Sequence, residues 1–421
     1  MMRLIKVAAV FIIAVVVMLV GLFFYLQADP PIGPVTPTGA TPLDTGWKLV
    51  EVTAGLEHPW AAAWLPDNEG ILITERPGRV RLFTDGKLVP TPLTGVPPVL
   101  AVGQSGLMDL KLHPDFVHNR LVYFTAATGS EDANRTTLFR ATLNPQRTGL
   151  DNLEELYRVS RDKLGGQHFG SVLAWLPDGS LLMSVGDGGN PPITLDGSLI
   201  RRQSQNPELA FGKVLRMTDD GRPHPDNPFP TGAGDAPFVY TLGHRNVQGI
   251  AIRPPLSPPA AAQTQAINTQ LAQRPATTAP AIWVTEHGSK GGDELNRLER
   301  GANYGWPNAT YSVEYWGFAI ADSATMPGAL DPHVVWTPAL APSGLTFYTG
   351  EAFPDWRGDL LAGGLVAKQI RRIHFNAEGE IDGQTTLQVD QRVRWVGMGP
   401  DAGLYVLTDS PAGGLYRIEP D

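Results

Sequence analysis

Residues 7–26 (VAAVFIIAVVVMLVGLFFYL) form an uncharged, mostly apolar run. As a helix rising about 1.5 Å per residue it spans about 30 Å, the thickness of a bilayer core. Arg3 and Lys6 precede it, and positive charge there favours an N-terminus held inside and a body carried outward. Residues 1–28 therefore read as a signal anchor or, if cut near Leu26-Gln27-Ala28, as a signal peptide; the run exceeds the usual 7–15 residue signal core. Residues 29–46 (DPPIGPVTPTGATPLDTG) read as an extended Pro/Gly/Thr linker. From Trp47 the pattern changes. Apolar residues come in short runs such as Gly70–Glu75, Arg79–Phe83, Arg120–Thr125, Ser180–Val185 and Gly403–Thr408, bounded by Gly, Pro, Asp and Asn. Short runs with such boundaries predict strands.

One local pattern recurs in this body: an apolar run, a Pro-Asp turn, then another apolar run. It stands at Pro66-Asp67, Pro114-Asp115, Pro177-Asp178, Pro354-Asp355 and Pro400-Asp401. Pro presets φ for the first central turn position and Asp tolerates the next, so each pair joins two antiparallel strands. Repetition across residues 47–421 predicts an all-β, six-bladed β-propeller with blades of roughly 55–60 residues. Closing the ring would pair Gly414–Ile418 with Trp47–Val52. Residues 254–280, rich in Ala, Gln, Thr and Pro, break the pattern and read as an inserted surface loop.

Composition narrows the chemistry. The chain has no Cys, which excludes disulfides, thiolate metal sites and Cys nucleophiles. Its net charge is −9 and the body has no basic tract, so nucleic acid is excluded as a partner. There is no G-x-S-x-G, H-E-x-x-H or P-loop; Gly397-x-Gly399-x-x-Ala402 contains Pro400-Asp401 and is a turn.

Polar, glycine-rich clusters lie between the strands instead: GQSGLMDL (103–110), GGQHFG (165–170), GHRN (243–246), EHGSKGGDELN (286–296), NYGWP (303–307) and Arg392-x-Arg394. Loops at one end of a propeller converge on its central channel, so these clusters can share one site. His168 is a candidate general base, with Asp187 at the end of the following hairpin to orient it; a turn-capping role for His168 is equally compatible. Arg245, Arg392 and Arg394 in an acidic protein suggest a polyanionic small ligand, although any single Arg also suits a surface ion pair. Gly288–Glu294 has the oxygen donors and glycines of a cation loop or of an ordinary turn.

Taken in order, these clusters, with the opening Leu56–Trp60 and Thr74–Arg79 and the later SGLTFY (343–348), resemble the quinoprotein family of soluble glucose dehydrogenases and aldose sugar dehydrogenases. The resemblance runs from about Leu56 to the C-terminus. It implies a six-bladed propeller that uses pyrroloquinoline quinone (PQQ) and calcium to oxidise an aldose at C1 to the aldonolactone, passing electrons to an external acceptor. By the same resemblance His168 is the base and Asp187 its orienting acid, and Arg245 stabilises charge on the quinone. Gln104, His168, Arg245, Asn246, Lys368, Arg392 and Arg394 hold PQQ, Lys368 on the loosest local match. The carbonyls of Gly288 and Ser289 ligate the cofactor's calcium, with Ser289 where the family often has Pro. Glu294 and the carbonyl of Tyr304 ligate a second, structural calcium. An exported, periplasmic protein anchored to the inner membrane through residues 7–26 fits the N-terminal pattern. A non-catalytic propeller binding glycan or protein, a sorbosone-type dehydrogenase and a calcium lactonase are the competing readings.

Overall fold

The computed structural model describes residues 2–254 and 280–421, with the side chains of residues 2–11 and 14 outside the description. The expected insertion at 254–280 falls almost wholly outside the described residues. Among these residues six four-stranded antiparallel sheets form a propeller. Blade 1 comprises Pro59–Leu65, Gly70–Glu75, Arg79–Thr84 and Lys87–Leu88, from the innermost strand outward. Blade 2 comprises Leu107–Leu112, Leu121–Ser130, Ala133–Leu143 and Leu150–Arg158. Blade 3 comprises Leu173–Trp175, Leu181–Val185, Lys213–Met217 and Val239–Leu242. Blade 4 comprises Val247–Ile252, Ile282–Glu286, Asp293–Leu298 and Val334–Trp336. Blade 5 comprises Pro342–Phe347, Leu360–Gly364, Gln369–Phe375 and Ile381–Gln388. Blade 6 takes three strands from the C-terminus (Val393–Met398, Leu404–Thr408, Gly413–Pro420) and its outermost from the N-terminal side, Trp47–Leu56.

That last pairing closes the ring in the expected way. Trp47 faces Pro420, Leu49 faces Ile418 and Glu51 faces Tyr416. Joining the two ends of the body in one sheet leaves no open edge between blades 6 and 1. Each Pro-Asp turn joins the first and second strands of its blade, in blades 1, 2, 3, 5 and 6. Blade 4 has residues 253–281 at that place, which is why the repeat skips there. Asp178 shows the turn chemistry: its Oδ1 accepts from the Ser180 backbone N at 2.9 Å and from its hydroxyl at 2.6 Å. A second repeat locks neighbouring blades. Hydroxyls of the second strands donate to backbone carbonyls at the start of the next blade: Thr74 to Met108 at 2.7 Å, Thr125 to Ser171 at 2.7 Å, Ser184 to Val247 at 3.1 Å and Thr285 to Ser343 at 3.1 Å. Between blades the core is apolar; Leu56, Ile73, Leu407 and Leu415 fill the seam where blade 6 meets blade 1.

The Pro-Asp turns lie at one end of the propeller. The loops entering each first strand and the turns between second and third strands lie at the other end, and that end carries the polar clusters. Ahead of the propeller, the helix Met2–Tyr25 leads into extended chain that docks on blades 4 and 5. Among the residues whose side chains are described, no helix is long and apolar enough to cross a membrane.

Candidate active site

All six blades contribute to the polar end. Gly166 lets two of its loops meet: a Cβ there would strike the Val102 carbonyl oxygen. With that approach open, Gln104 N donates to Gly166 O at 2.7 Å, and the Gln104 Oε1 accepts from His168 N at 2.9 Å. His168 is held at φ 48°, a left-handed conformation that costs a non-glycine residue about 1 kcal/mol or more and that the surrounding loop must impose.

His168 and Asp187 are 2% and 1% exposed. Nδ1 of His168 lies 2.6 Å from Asp187 Oδ1. The remaining donors around the carboxylate are Gly189 N at 3.0 Å to Oδ1 and Trp306 Nε1 at 2.8 Å to Oδ2. Burial pushes the His168 imidazole below its ordinary pKa, and the Arg245 charge adds to this. Burial alone pushes Asp187 up, but His168 and Arg245 outweigh it and hold the carboxyl below the usual range. The pair is thus a neutral imidazole against an ionised carboxylate. An ionised Asp187 accepts only, so Nδ1 carries the proton and Nε2 is the ring's acceptor.

Arg245 is buried beside this pair. Its backbone carbonyl accepts from Asp187 N at 2.8 Å, and its guanidinium lies 5.4 Å from the Trp306 ring centroid. Nη2 donates to Asn190 Oδ1 at 2.9 Å and Nη1 to the His287 carbonyl at 3.2 Å. The loop is clamped by Glu286, whose carboxylate accepts from Arg245 N at 2.7 Å and pairs with His244 Nδ1 at 2.8 Å. Two donors here are buried with no partner among the described residues: Arg245 Nε and Asn246 Nδ2. Buried donors without acceptors are costly, so they mark a place made for a ligand oxygen.

Gln104 and Gly170, which bond to His168 N and Asn246 Oδ1, also line a cavity of about 190 Å³ with Trp60, Arg76, Phe169, Gln248, Arg392 and Arg394 among others. Its charged lining is three arginines to one carboxylate, Asp409, a local excess of positive charge in a chain of net charge −9. Asp409 organises that wall. It pairs with His58 Nδ1 at 2.7 Å and Arg392 Nη2 at 3.1 Å. Burial raises its pKa, but Arg394, His58 and Arg392 bring it down to about 2. Arg394 is lowered to about 10 by burial, donates to Gln248 Oε1 at 3.0 Å and lies over the Trp60 ring at 5.4 Å. A wider cleft of about 900 Å³ adjoins, sharing His287, Tyr315, Ala341 and Val366 with the smaller cavity. Burial, then Arg245 and Arg394, lower His287 to about 3, so it stays neutral.

The candidate cation positions fall around the 286–296 turn. Gly288 N donates to Asp293 Oδ1 at 2.7 Å, and Gly288 and Ser289 line the wider cleft. Glu294 and Tyr304 meet at a small cavity of about 10 Å³, about the size of one water or ion, which Arg245, Glu286, His287 and Gly288 also line. Burial, and then the neighbouring Glu286, push the Glu294 carboxyl well above its usual range. Among the described residues no group of three or more His, Asp or Glu side chains is gathered to hold a metal; a cation here would rely on backbone carbonyls.

The structure therefore gathers Gln104, His168, Asp187, Arg245, Asn246, Arg392 and Arg394 at one end of the channel. Lys368 is exposed at φ 55° and does not line either cavity. Several partners carried no sequence signal of their own. Gln248 and Asp409 lie two and fifteen residues beyond singled-out arginines or asparagines, inside or at the end of strands, and only the blade packing brings them to the wall. Trp306 sat within a noted motif, but its bond to Asp187, 119 residues away, needed the fold.

This arrangement defines a propeller enzyme: a buried imidazole–carboxylate pair beside an arginine-walled cavity. The chain matches the sequence model of the glucose/sorbosone dehydrogenases over residues 56–256 and 268–417, and it belongs to that family. It is 34% identical to the aldose sugar dehydrogenase YliI of Escherichia coli over 369 residues, covering 87% of this chain and 91% of that one. The crystal structure of the soluble E. coli aldose sugar dehydrogenase in its apo form superposes with a TM-score of 0.77 at 32% identity, covering 89% of this chain and all of that one. The PQQ-bound aldose sugar dehydrogenase of Streptomyces coelicolor superposes with a TM-score of 0.66 at 25% identity, over 90% of this chain and all of that one.

Proposed function

We propose that the protein is a PQQ- and calcium-dependent dehydrogenase that oxidises aldose sugars at C1 to aldonolactones. The observation that carries this reading is the buried His168–Asp187 pair beside a cavity with three arginines and one carboxylate on its walls. The partnerless donors on the neighbouring loop, Arg245 Nε and Asn246 Nδ2, suit a ligand rich in carboxylate and carbonyl oxygens. Bound there with calcium, PQQ supplies the two-electron acceptor for the hydride leaving C1 and calcium supplies Lewis-acid charge.

The chain's own residues do the rest. Arg392, Arg394, Gln104 and Asn246 hold the anionic cofactor, Asp409 fixing the two arginines. Lys368 joins them on the family resemblance, from its exposed position. The carbonyls of Gly288 and Ser289 would ligate the cofactor's cation, and Glu294 with the carbonyl of Tyr304 would hold a second one at the small cavity. A cation beside Glu294 offsets the cost of its burial. Asp187 keeps the Nδ1–H tautomer of His168, so Nε2 takes the anomeric hydroxyl proton. Asp187 then stabilises the imidazolium that forms. Arg245 places positive charge where negative charge develops.

Electrons leave to an acceptor outside the cytoplasm. The body is exported to a periplasm and stays tethered through residues 7–26; the exposed side chains of Ile12, Val17, Met18 and Phe24 on the first helix support a lipid contact. The test of the chemistry is His168→Ala. It should bind PQQ, followed spectrally, as the wild type does and lose most dye reduction with aldoses. Unchanged turnover contradicts the assignment of the base.

A further inference from the structure

The stretch between the first helix and the propeller is built into the molecule. Asp44 N donates to Thr386 O at 2.8 Å, and Thr386 N donates to Pro42 O at 2.8 Å, on the outer strand of blade 5. Arg372 Nη1 holds the Asp44 carboxylate at 3.0 Å. Thr38 N donates to Val335 O at 2.7 Å, and Thr337 N donates to Thr38 O at 3.2 Å, on the outer edge of blade 4. Nearer the N-terminus the strap climbs to the end of the propeller that carries the site. Gly33 packs directly on Tyr311: a Cβ there would stand 2.7 Å from Tyr311 Cζ and 2.8 Å from Ala324 Cβ. Val35 N donates to the Tyr311 hydroxyl at 3.3 Å.

The upper end of the strap is fixed at the cleft. Ala28 N donates to Gly317 O at 2.8 Å, and Gln27 Nε2 donates to Trp316 O at 2.9 Å. Phe23 and Phe318 bring their ring centroids to 5.8 Å. Gln27, Ala28, Asp29 and Pro30 thereby line the cleft of about 900 Å³, together with Lys290 and Tyr315. That volume is in the range of about 300–1,000 Å³ typical of small-molecule sites. The cleft adjoins the arginine-walled cavity through His287 and Tyr315. Amide, carboxylate, ammonium and phenol groups around one opening are the donors and acceptors that sugar hydroxyls require.

From this we infer that Gln27–Pro30 is a specificity-determining wall of the substrate cleft, contributed by the segment ahead of the propeller. The inference rests on the aldose-oxidising function proposed above. The wall narrows the opening against Tyr315 and presents polar groups to the part of the sugar remote from C1. Such contacts serve the ground state and the transition state alike, so losing them raises KM and spares kcat.

The test uses the full chain. Because the sequence has no Cys, Asp29→Cys introduces a unique thiol on the wall. A saturating aldose should slow its reaction with a maleimide about fivefold, and the adduct should raise KM. Gly33→Val, which forces the strap off Tyr311, should raise KM for aldoses about tenfold with kcat within twofold. Gln27→Ala, which removes the wall's amide with its bonds to Trp316 O and Phe23 O, should raise it about threefold and covers the case in which the valine variant fails to fold. An active wild type, with thiol labelling of Asp29→Cys that ignores sugar and KM unchanged in Gln27→Ala, overturns the wall and leaves the dehydrogenase intact. A wild type that oxidises no aldose overturns both.

Discussion

Replacing Asp187 by Asn changes one group and keeps its shape. The wild-type carboxylate accepts from His168 Nδ1 at 2.6 Å, Gly189 N at 3.0 Å and Trp306 Nε1 at 2.8 Å. An amide has one oxygen, and it cannot serve donors on both sides. If it keeps Trp306, its NH₂ faces His168, and the ring must turn its acceptor to Nδ1. Nε2 then carries the proton and cannot take another. If it keeps His168, its NH₂ opposes the indole N–H in a buried site, which costs about 1–3 kcal/mol. Either way the base is lost or mispositioned. General base catalysis is worth about 10²–10⁴ in rate, or about 3–5 kcal/mol of barrier. Asp187→Asn should therefore lower kcat about 10²–10⁴-fold in dye reduction with a saturating aldose. The PQQ titration should be little changed, since the arginines of the cofactor cavity are untouched. A kcat within tenfold of wild type, with the variant folded and loaded, refutes the role given to the pair.

Other residues make independent predictions. Glu294→Gln should raise the Tm measured in chelator, because it removes a buried carboxyl whose raised pKa makes the fold less stable as pH rises above 4.5. The same variant should lose most of the Tm increase that calcium gives the wild type. His287 is held neutral with a pKa near 3, so the unfolded chain binds more protons between that value and 6.5, and stability falls as pH drops through this window. His287→Gln can still donate to Pro342 O and should move acid unfolding, followed by tryptophan fluorescence, to lower pH. Leu415→Ala opens the seam between blades 6 and 1 and should cost about 2–5 kcal/mol in urea unfolding while leaving kcat at 25 °C unchanged.

The propeller was legible because its repeat is written in local chemistry. Pro-Asp turns at the same place in five blades revealed the period, and blade 4 broke it only where residues 253–281 replace the turn. The end strands could be paired because both were apolar runs at the limits of the body, and Leu49 does face Ile418. The centre of the site was legible for a similar reason: glycine-rich loops and polar clusters interrupt the strands where backbone must approach a ligand. What could not be read was support that crosses blades. Asp409 reaches His58 across 351 positions and Gln248 reaches Arg394 across 146, through side chains that are ordinary in their local sequence. The strap escaped for another reason. It is held largely by backbone hydrogen bonds and by the missing side chain of Gly33, so a Pro/Gly/Thr stretch that looks like a tether carries no pattern of its docking.

The central claim is tested most directly by reconstitution. The full chain, stripped with a chelator, is supplied with PQQ, with Ca²⁺ or with both, and dye reduction is followed across a panel of aldoses and, separately, with sorbosone. The structure leads us to expect turnover only when both are present, with aldonolactone as product. No turnover on any sugar, with no spectral sign of PQQ binding, would contradict it.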